Sequence, residues 1–213
     1  MALSPVHEPP APSSSPLLTI PFIPPDDPLP STSIQTRKAQ LQDARSIHQL
    51  IHSFTHDGTL LPRRYAEICA NIDTFTIAET ASHQFIGCAS LHVYGQHLAE
   101  IRSIAVRPGI QRHGAGGLLV HALLDQAEAK GIKCVCLFTR VTAFFEHFHF
   151  QVTERQTFDD KVLKDCMHCA RRNACDEIAM AIGELPTSHT MPVSRFHHPR
   201  GQANHANLVQ LQL

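Results

Sequence analysis

Between Ile104 and Gly117 the chain reads IAVRPGIQRHGAGG: an apolar run, a glycine-rich turn, then the start of an amphipathic stretch. Glycine tolerates backbone angles closed to other residues, and this is the expected use of Gly114 and Gly116. A tight turn feeding a helix lets several N–H groups converge on one anion, and the helix N-terminus adds a favourable dipole. Gln111, Arg112, His113, Gly114, Ala115 and Gly116 therefore form a candidate pyrophosphate cradle. The turn is not a Walker loop, because Gly117 and Leu118 follow Gly116 where Lys and Ser or Thr are required, and it is not a Rossmann fingerprint, because Leu119 stands where a third small residue is needed. An ordinary glycine-rich strand–helix turn is the competing reading.

Other side chains have chemistry of their own. Glu100, inside the apolar run Ala99–Val106, is the best candidate general base, acting directly or through water. Arg102 lies two residues on, on the same strand face, so a structural pair between the two is an equal alternative. His92 is a second polar candidate on the neighbouring expected strand. Arg63 and Arg64 follow Pro62, and Arg171 and Arg172 form a second cluster with Lys164 nearby. A planar guanidinium grips a carboxylate through two parallel bonds; solvated basic pairs, the second balancing Asp165, Asp176 and Glu177, are the alternative. Cys166, Cys169 and Cys175 open with a Cys-x2-Cys knuckle that suits zinc, but a structural zinc site takes four ligands and no fourth is evident, His168 lying inside the knuckle. A metal site, a redox-labile disulfide and plain packed thiols all remain open there. Cys134 and Cys136, in an apolar run, read as small apolar residues.

These groups need a scaffold. The chain has 213 residues, 43% of them apolar, and a formal net charge of −1. That suits one domain of about 150 residues with tails, and offers no global field for nucleic acid or a membrane surface. No apolar run approaches the ~20 residues of a membrane span. The first 36 residues lack Lys and Arg, which argues against a secretory n-region or an Arg-rich transit peptide. Seven cysteines, several in expected core strands, fit a reduced, cytoplasmic setting. Residues 1–31 hold most of the fifteen prolines and read as a disordered Pro/Ser-rich tail. Residues 186–213 read as a second disordered tail whose His189, His197, His198 and His205 are weak candidate metal ligands. The domain spans 32–185.

Within it, strand and helix signals alternate. Ile34–Ala39 reads as a strand, Asp43 as an N-cap before Ile47, Leu50, Ile51 and Phe54 at helical spacing, and Pro62 as a helix start. Thr74–Glu79, Phe85–Tyr94 and Ala99–Val106 read as strands. Leu119, Ala122, Leu123 and Ala127 mark a helix that ends at Gly131. Ile132–Phe138 reads as a central buried strand, Phe144–Phe148 as a short helix, and the chain from Phe150 as strand again. The order β-α-α-β-β-β-α-β-α-β belongs to an α/β (α+β) fold and excludes a regular β/α barrel.

Gln111-x-x-Gly114-x-Gly116 resembles the Gln/Arg-x-x-Gly-x-Gly/Ala loop of the GNAT N-acetyltransferases, and the element order resembles theirs. Leu60–Arg64, Ala99–Val106, Phe144–Phe150 and Lys161–Met180 are further similar to the acetyltransferase domain of the N-acetylglutamate synthases, in a short stand-alone bacterial version. The resemblance covers about residues 32–185. It implies a mixed sheet flanked by helices and splayed between its fourth and fifth strands, with acetyl-coenzyme A as cosubstrate. The cradle would hold its phosphates, and main-chain groups of Ile104 and Val106 its pantetheine amides, with an oxyanion donor near Ile104. Arg63, Arg171, Arg172, Lys164 and His92 become candidate contacts to an amino-acid substrate, and Glu100 the candidate base. The implied activity is acetylation of L-glutamate; another small amine or a protein N-terminus is the alternative acceptor, and a non-catalytic acetyl-coenzyme A or metal-binding module the alternative class. Expected partners are small molecules, with no nucleic acid and no membrane; a homodimer stays open. One departure stands out. Many members carry a tyrosine acid in the helix after the fifth strand, where this chain has Phe144 and Phe145; Tyr65 and Tyr94 are its only tyrosines.

Overall fold

The computed structural model describes residues 33–169 and 171–186. The two expected tails lie outside the described residues, apart from Pro186. The strands are β1 Ile34–Lys38, β2 Phe75–Thr80, β3 Phe85–Gly95, β4 Leu98–Val106, β5 Cys134–Thr139, β6 Gln151–Val152 and β7 Ile178–Gly183; the helices are α1 Ala44–Ser53, α2 Tyr65–Ala70, α3 Ala115–Ala129, α4 Thr142–Glu146 and α5 Asp159–Lys164. Hydrogen bonding orders the strands β1-β2-β3-β4-β5-β7-β6 in one mixed sheet. The β1/β2 and β2/β3 pairs are antiparallel, as are β5/β7 and β6/β7. The β4/β5 pair, where the resemblance places the splay, is parallel, with Ala99 opposite Val135 and Glu100 opposite Cys136.

The described chain divides into two compact units: one runs through Leu91 and takes in Ile101–Asp125, the other holds His92–Glu100 and the chain from Gln126 onward. In the first, the helical spacing of Ile47, Leu50 and Ile51 buries one face of α1 with Ile68 of α2, Ile77 of β2, Cys88 of β3 and Ala105 of β4. Such a core is stabilised by roughly 1.5–3 kcal/mol per large side chain removed from water. Asp43 precedes α1, but its side chain does not cap it. The carboxylate turns back to Arg37, at 2.7 Å, and accepts the Gln40 N–H at 2.8 Å. Arg37 also reaches Glu79, whose carboxylate is 1% exposed and receives Gln35 and His83 as well. Burial alone would push the Glu79 carboxyl up; the bonds from His83, Gln35 and Arg37 outweigh it and hold the group below its ordinary value.

In the second unit, Leu98, Cys134, Cys136, Phe158, Ala179 and Ala181 form the core, with Tyr94 and Phe138 partly buried against it. The β5 run is buried almost throughout, as its unbroken apolar sequence predicts. Burial pushes the Cys134 thiol up to about 11 and, in the first unit, Cys88 up to about 12. Both are neutral thiols packed as small apolar groups. β6 is shorter than the strand expected from Phe150, because Phe150 is itself a buried plug, and only Gln151 and Val152 pair with β7. The sequence order stopped before β7, which pairs with β5 along six residues. No helix among the described residues is long and apolar enough to cross a membrane.

Candidate active site

The glycine-rich loop lies in the first unit. Gly109, Arg112 and Gly114 have φ of +84°, +71° and +88°. Arg112 occupies the left-handed region without being glycine, which the sequence does not signal. Gly116 departs from expectation: it lies in the first turn of α3, so its use is a bare backbone at the helix mouth rather than a positive φ. Gln111, Arg112, His113 and Gly114 are exposed, Ala115 is buried, and a Cβ added at Gly114 would meet nothing within 4 Å. His113 Nδ1 lies 3.1 Å from the Gln111 carbonyl and stiffens the turn. The first N–H groups of any helix have no acceptor inside it, and the open surface over this turn fits a pyrophosphate on those of α3.

On β4, Ala105 faces the core while Ile104 and Val106 are half-buried. Just before them Ser103 has φ +52°, a left-handed residue in mid-strand, with its carbonyl 3.7 Å from Cys88 Sγ. Such a kink breaks the pleat and turns the next main-chain groups. Nothing in the residue type of Ser103 announces it.

Glu100, the other end of β4, belongs to the second unit. Its residue exposure is 3%. Lys161 Nζ of α5 lies 2.8 Å from Glu100 Oε1, and the Tyr94 hydroxyl of β3 2.9 Å from Oε2. The same hydroxyl is 3.1 Å from Asp165 Oδ2, and Lys161 Nζ is 3.2 Å from that oxygen. Four side chains thus close a ring of contacts around a buried carboxylate. His92 stacks edge-on to Tyr94 with ring centroids 4.7 Å apart, and Lys164 Nζ lies 5.2 Å from the Tyr94 ring. So Glu100, His92 and Lys164 do converge, and with them converge Tyr94 and Lys161, which carried no assigned role in the sequence, and Asp165, which the sequence offered only as a counter-charge to the basic loop.

The clamp candidates Arg63, Arg171 and Arg172 each have a partner. Arg63 Nη1, in the first unit and just ahead of α2, is 2.6 Å from Glu67 in the first turn of that helix, and both side chains are partly exposed. Arg171 lies 3.3 Å from Asp176, and Arg172 donates to the Met167 carbonyl at 3.2 Å. Lys164 pairs with Asp160 at 3.0 Å.

Of the three readings of the cysteine loop, the zinc site finds no support in the structure. Among the described residues no three His, Cys, Asp or Glu converge as metal ligands. The Arg155 guanidinium instead approaches Cys166 Sγ at 3.9 Å and Cys175 Sγ at 3.3 Å, and donates to the Glu177 carbonyl at 2.7 Å. A fixed cation beside two of the three thiols disfavours a second one. Cys166, Cys169 and Cys175 are free thiols.

Comparison with known proteins adds to this geometry. The model of the acetyltransferase (GNAT) family matches residues 41–150. An uncharacterized N-acetyltransferase of Chlorobaculum tepidum is 34% identical over 152 residues, covering 71% of this chain and 97% of that protein. An amino-acid acetyltransferase of Mycobacterium tuberculosis is 31% identical over 120 residues, 55% of this chain and 68% of the relative. Among solved structures, a Mycobacterium tuberculosis protein in complex with CoA and NLQ superposes with a TM-score of 0.62 at 26% identity, covering 71% of this chain and 99% of the other.

Proposed function

The chain belongs to the acetyltransferase (GNAT) family, and from that premise we propose that it acetylates the amino group of L-glutamate. Acetyl-coenzyme A is the donor, and N-acetyl-L-glutamate, a precursor in arginine biosynthesis, is the product. We place the reaction in the cytoplasm, where the free thiols would stay reduced. The observation that carries the chemistry is Glu100, a carboxylate 3% exposed at the last β4 residue paired with β5.

An ammonium cannot attack a thioester; it must first lose a proton. Glu100 accepts that proton, directly or through a water. The free amine then adds to the thioester carbonyl, and a main-chain N–H near Ile104 stabilises the oxyanion. The coenzyme A thiolate leaves, and a thiol is acidic enough for this to proceed without a strong acid. N–H groups from Gln111 to Gly116 hold the pyrophosphate, and main-chain groups of Ile104 and Val106 pair with the pantetheine amides.

The amino-acid acceptor is supported by the name of the Mycobacterium tuberculosis relative and by the resemblance at Leu60–Arg64 and Lys161–Met180. In this reading Arg63 exchanges Glu67 for a substrate carboxylate, and Arg171, Arg172 and Lys164 hold the second one. The same pairs favour a second reading: arginines already satisfied by Glu67 and Asp176 suit an enzyme that acetylates another small amine or a protein N-terminus. Coenzyme A release, measured with glutamate, glutamine, a panel of small amines and short peptides, separates the two. Glutamate should be turned over at least about tenfold faster than glutamine, the worth of one charge-assisted pair. Equal rates, or a preference for peptides, would move the assignment to the second reading.

A further inference from the structure

The ring around Glu100 has one property that a simple ion pair lacks. A phenol carries a single hydrogen, yet the Tyr94 oxygen lies 2.9 Å from Glu100 Oε2 and 3.1 Å from Asp165 Oδ2. With both carboxylates ionised, only one of these contacts is a hydrogen bond and the other sets lone pair against lone pair. Both are satisfied when one carboxyl holds a proton. Lys161 touches both carboxylates, at 2.8 and 3.2 Å, and ties them together. The two ends differ in their access to water: the Glu100 side chain is 4% exposed and the Asp165 side chain 36%.

We propose that Tyr94 and Asp165 form a proton outlet for Glu100, carrying the proton taken from the acceptor amine to solvent. The inference rests on the reading of Glu100 as the proton acceptor. As the N–H bond of the amine breaks, an O–H bond forms on Glu100. Glu100 passes this proton to the Tyr94 oxygen while the Tyr94 hydrogen moves to Asp165 Oδ2. At each oxygen one O–H bond forms as one breaks, and the tyrosine is unchanged. Asp165 releases the proton to water, and rotation of the Tyr94 hydroxyl resets the path. Lys161 keeps its charge throughout and holds the two carboxylates in register. Tyr94 is therefore a positioning residue that acts through Glu100. This gives the tyrosine-free helix α4 a different complement: a hydroxyl from β3 that serves the base rather than the leaving group.

Other groups face this path and bear on its titration. His92 and Lys164 lie against the Tyr94 ring, Asp160 pairs with Lys164, and the Cys166 thiol feels both Lys161 and Glu100. The test is therefore proton delivery at fixed pH rather than a pH profile alone. Tyr94→Phe keeps the ring and its stacking but removes the hydroxyl. Its kcat should fall about 10²-fold with KM for acetyl-coenzyme A unchanged. Small imidazole buffers should raise the rate of the variant in proportion to their concentration while leaving the wild type unaffected. Asp165→Asn should behave alike, and carries the same test if Tyr94→Phe melts early. A kcat within twofold of wild type, or a loss that buffer does not restore, overturns the outlet. If Glu100→Gln itself leaves kcat unchanged, the reading of Glu100 fails and the outlet with it; a slowed Glu100→Gln beside a normal Tyr94→Phe overturns the outlet alone.

Discussion

Removing Glu100 separates two kinds of residue that look alike in a sequence. A carboxylate used only for structure stabilises its partners; one that takes a proton changes a rate. Glu100→Gln keeps the shape and removes the charge beside Lys161. As the base, it should lose about 10²–10⁴-fold in kcat, with acetyl-coenzyme A affinity measured by calorimetry nearly unchanged. A lowered melting temperature with near-normal kcat would mark the side chain as structural, paired with Lys161 or with Arg102 two residues along. The sequence made Glu100 legible because a lone acid in an apolar run is conspicuous. It hid the partners, because Tyr94 and Asp165 are 71 residues apart and no local period links them. Arg155 was hidden for the same reason, and its approach to Cys166 and Cys175 weighs against a second cation there. The Arg63–Glu67 pair was hidden too, because Pro62 does not start the helix: α2 begins at Tyr65, and Arg63 lies ahead of it and reaches onto its first turn.

Elements with a strong period were legible and those defined by pairing were not. The face of α1 and the apolar run of β5 stand where the sequence puts them. The strand β7 mixes small and apolar residues (Ala179, Ala181 and Gly183 among Ile178, Met180 and Ile182) and lies between β5 and β6. Its last residue shows how tightly it is held. Gly183 has φ +96°, and a Cβ there would run into the Lys133 carbonyl, the same oxygen that accepts the Glu184 N–H at 2.9 Å. Gly183→Ala should therefore destabilise by roughly 2–4 kcal/mol, combining left-handed strain with a backbone collision. Gly131 ends α3 with φ +65° and open space around an added Cβ, so Gly131→Ala should lose only about 1 kcal/mol. Chemical denaturation of the two variants measures the difference. Equal losses would mean that β7 yields to relieve the contact and is not fixed at its end.

At the scale of the whole molecule, the acid limit of stability follows from carboxylates held ionised by folding. Desolvation pushes the Asp43 carboxyl up, but the Arg37 bond and the Gln40 N–H outweigh it, and the group sits below its ordinary value; Glu79 is depressed in the same way. A carboxyl whose folded pKa lies below its unfolded one contributes stability at pH above the unfolded value. That contribution fades as pH falls through the folded value, because the unfolded chain binds the proton first. Stability should therefore be level near neutrality and fall below about pH 4, where free carboxyls begin to protonate. Arg37 joins both groups, at 2.7 Å and 3.0 Å, and with one third of its side chain exposed it is partly screened by water. Arg37→Met keeps the apolar stem and removes the charge. It should lower stability by about 1–3 kcal/mol at pH 7 and by much less at pH 3, so the two unfolding curves converge as the solution is acidified. Parallel curves, separated equally at both pH values, would mean that Arg37 acts through packing, and that the acid limit is set elsewhere in the chain.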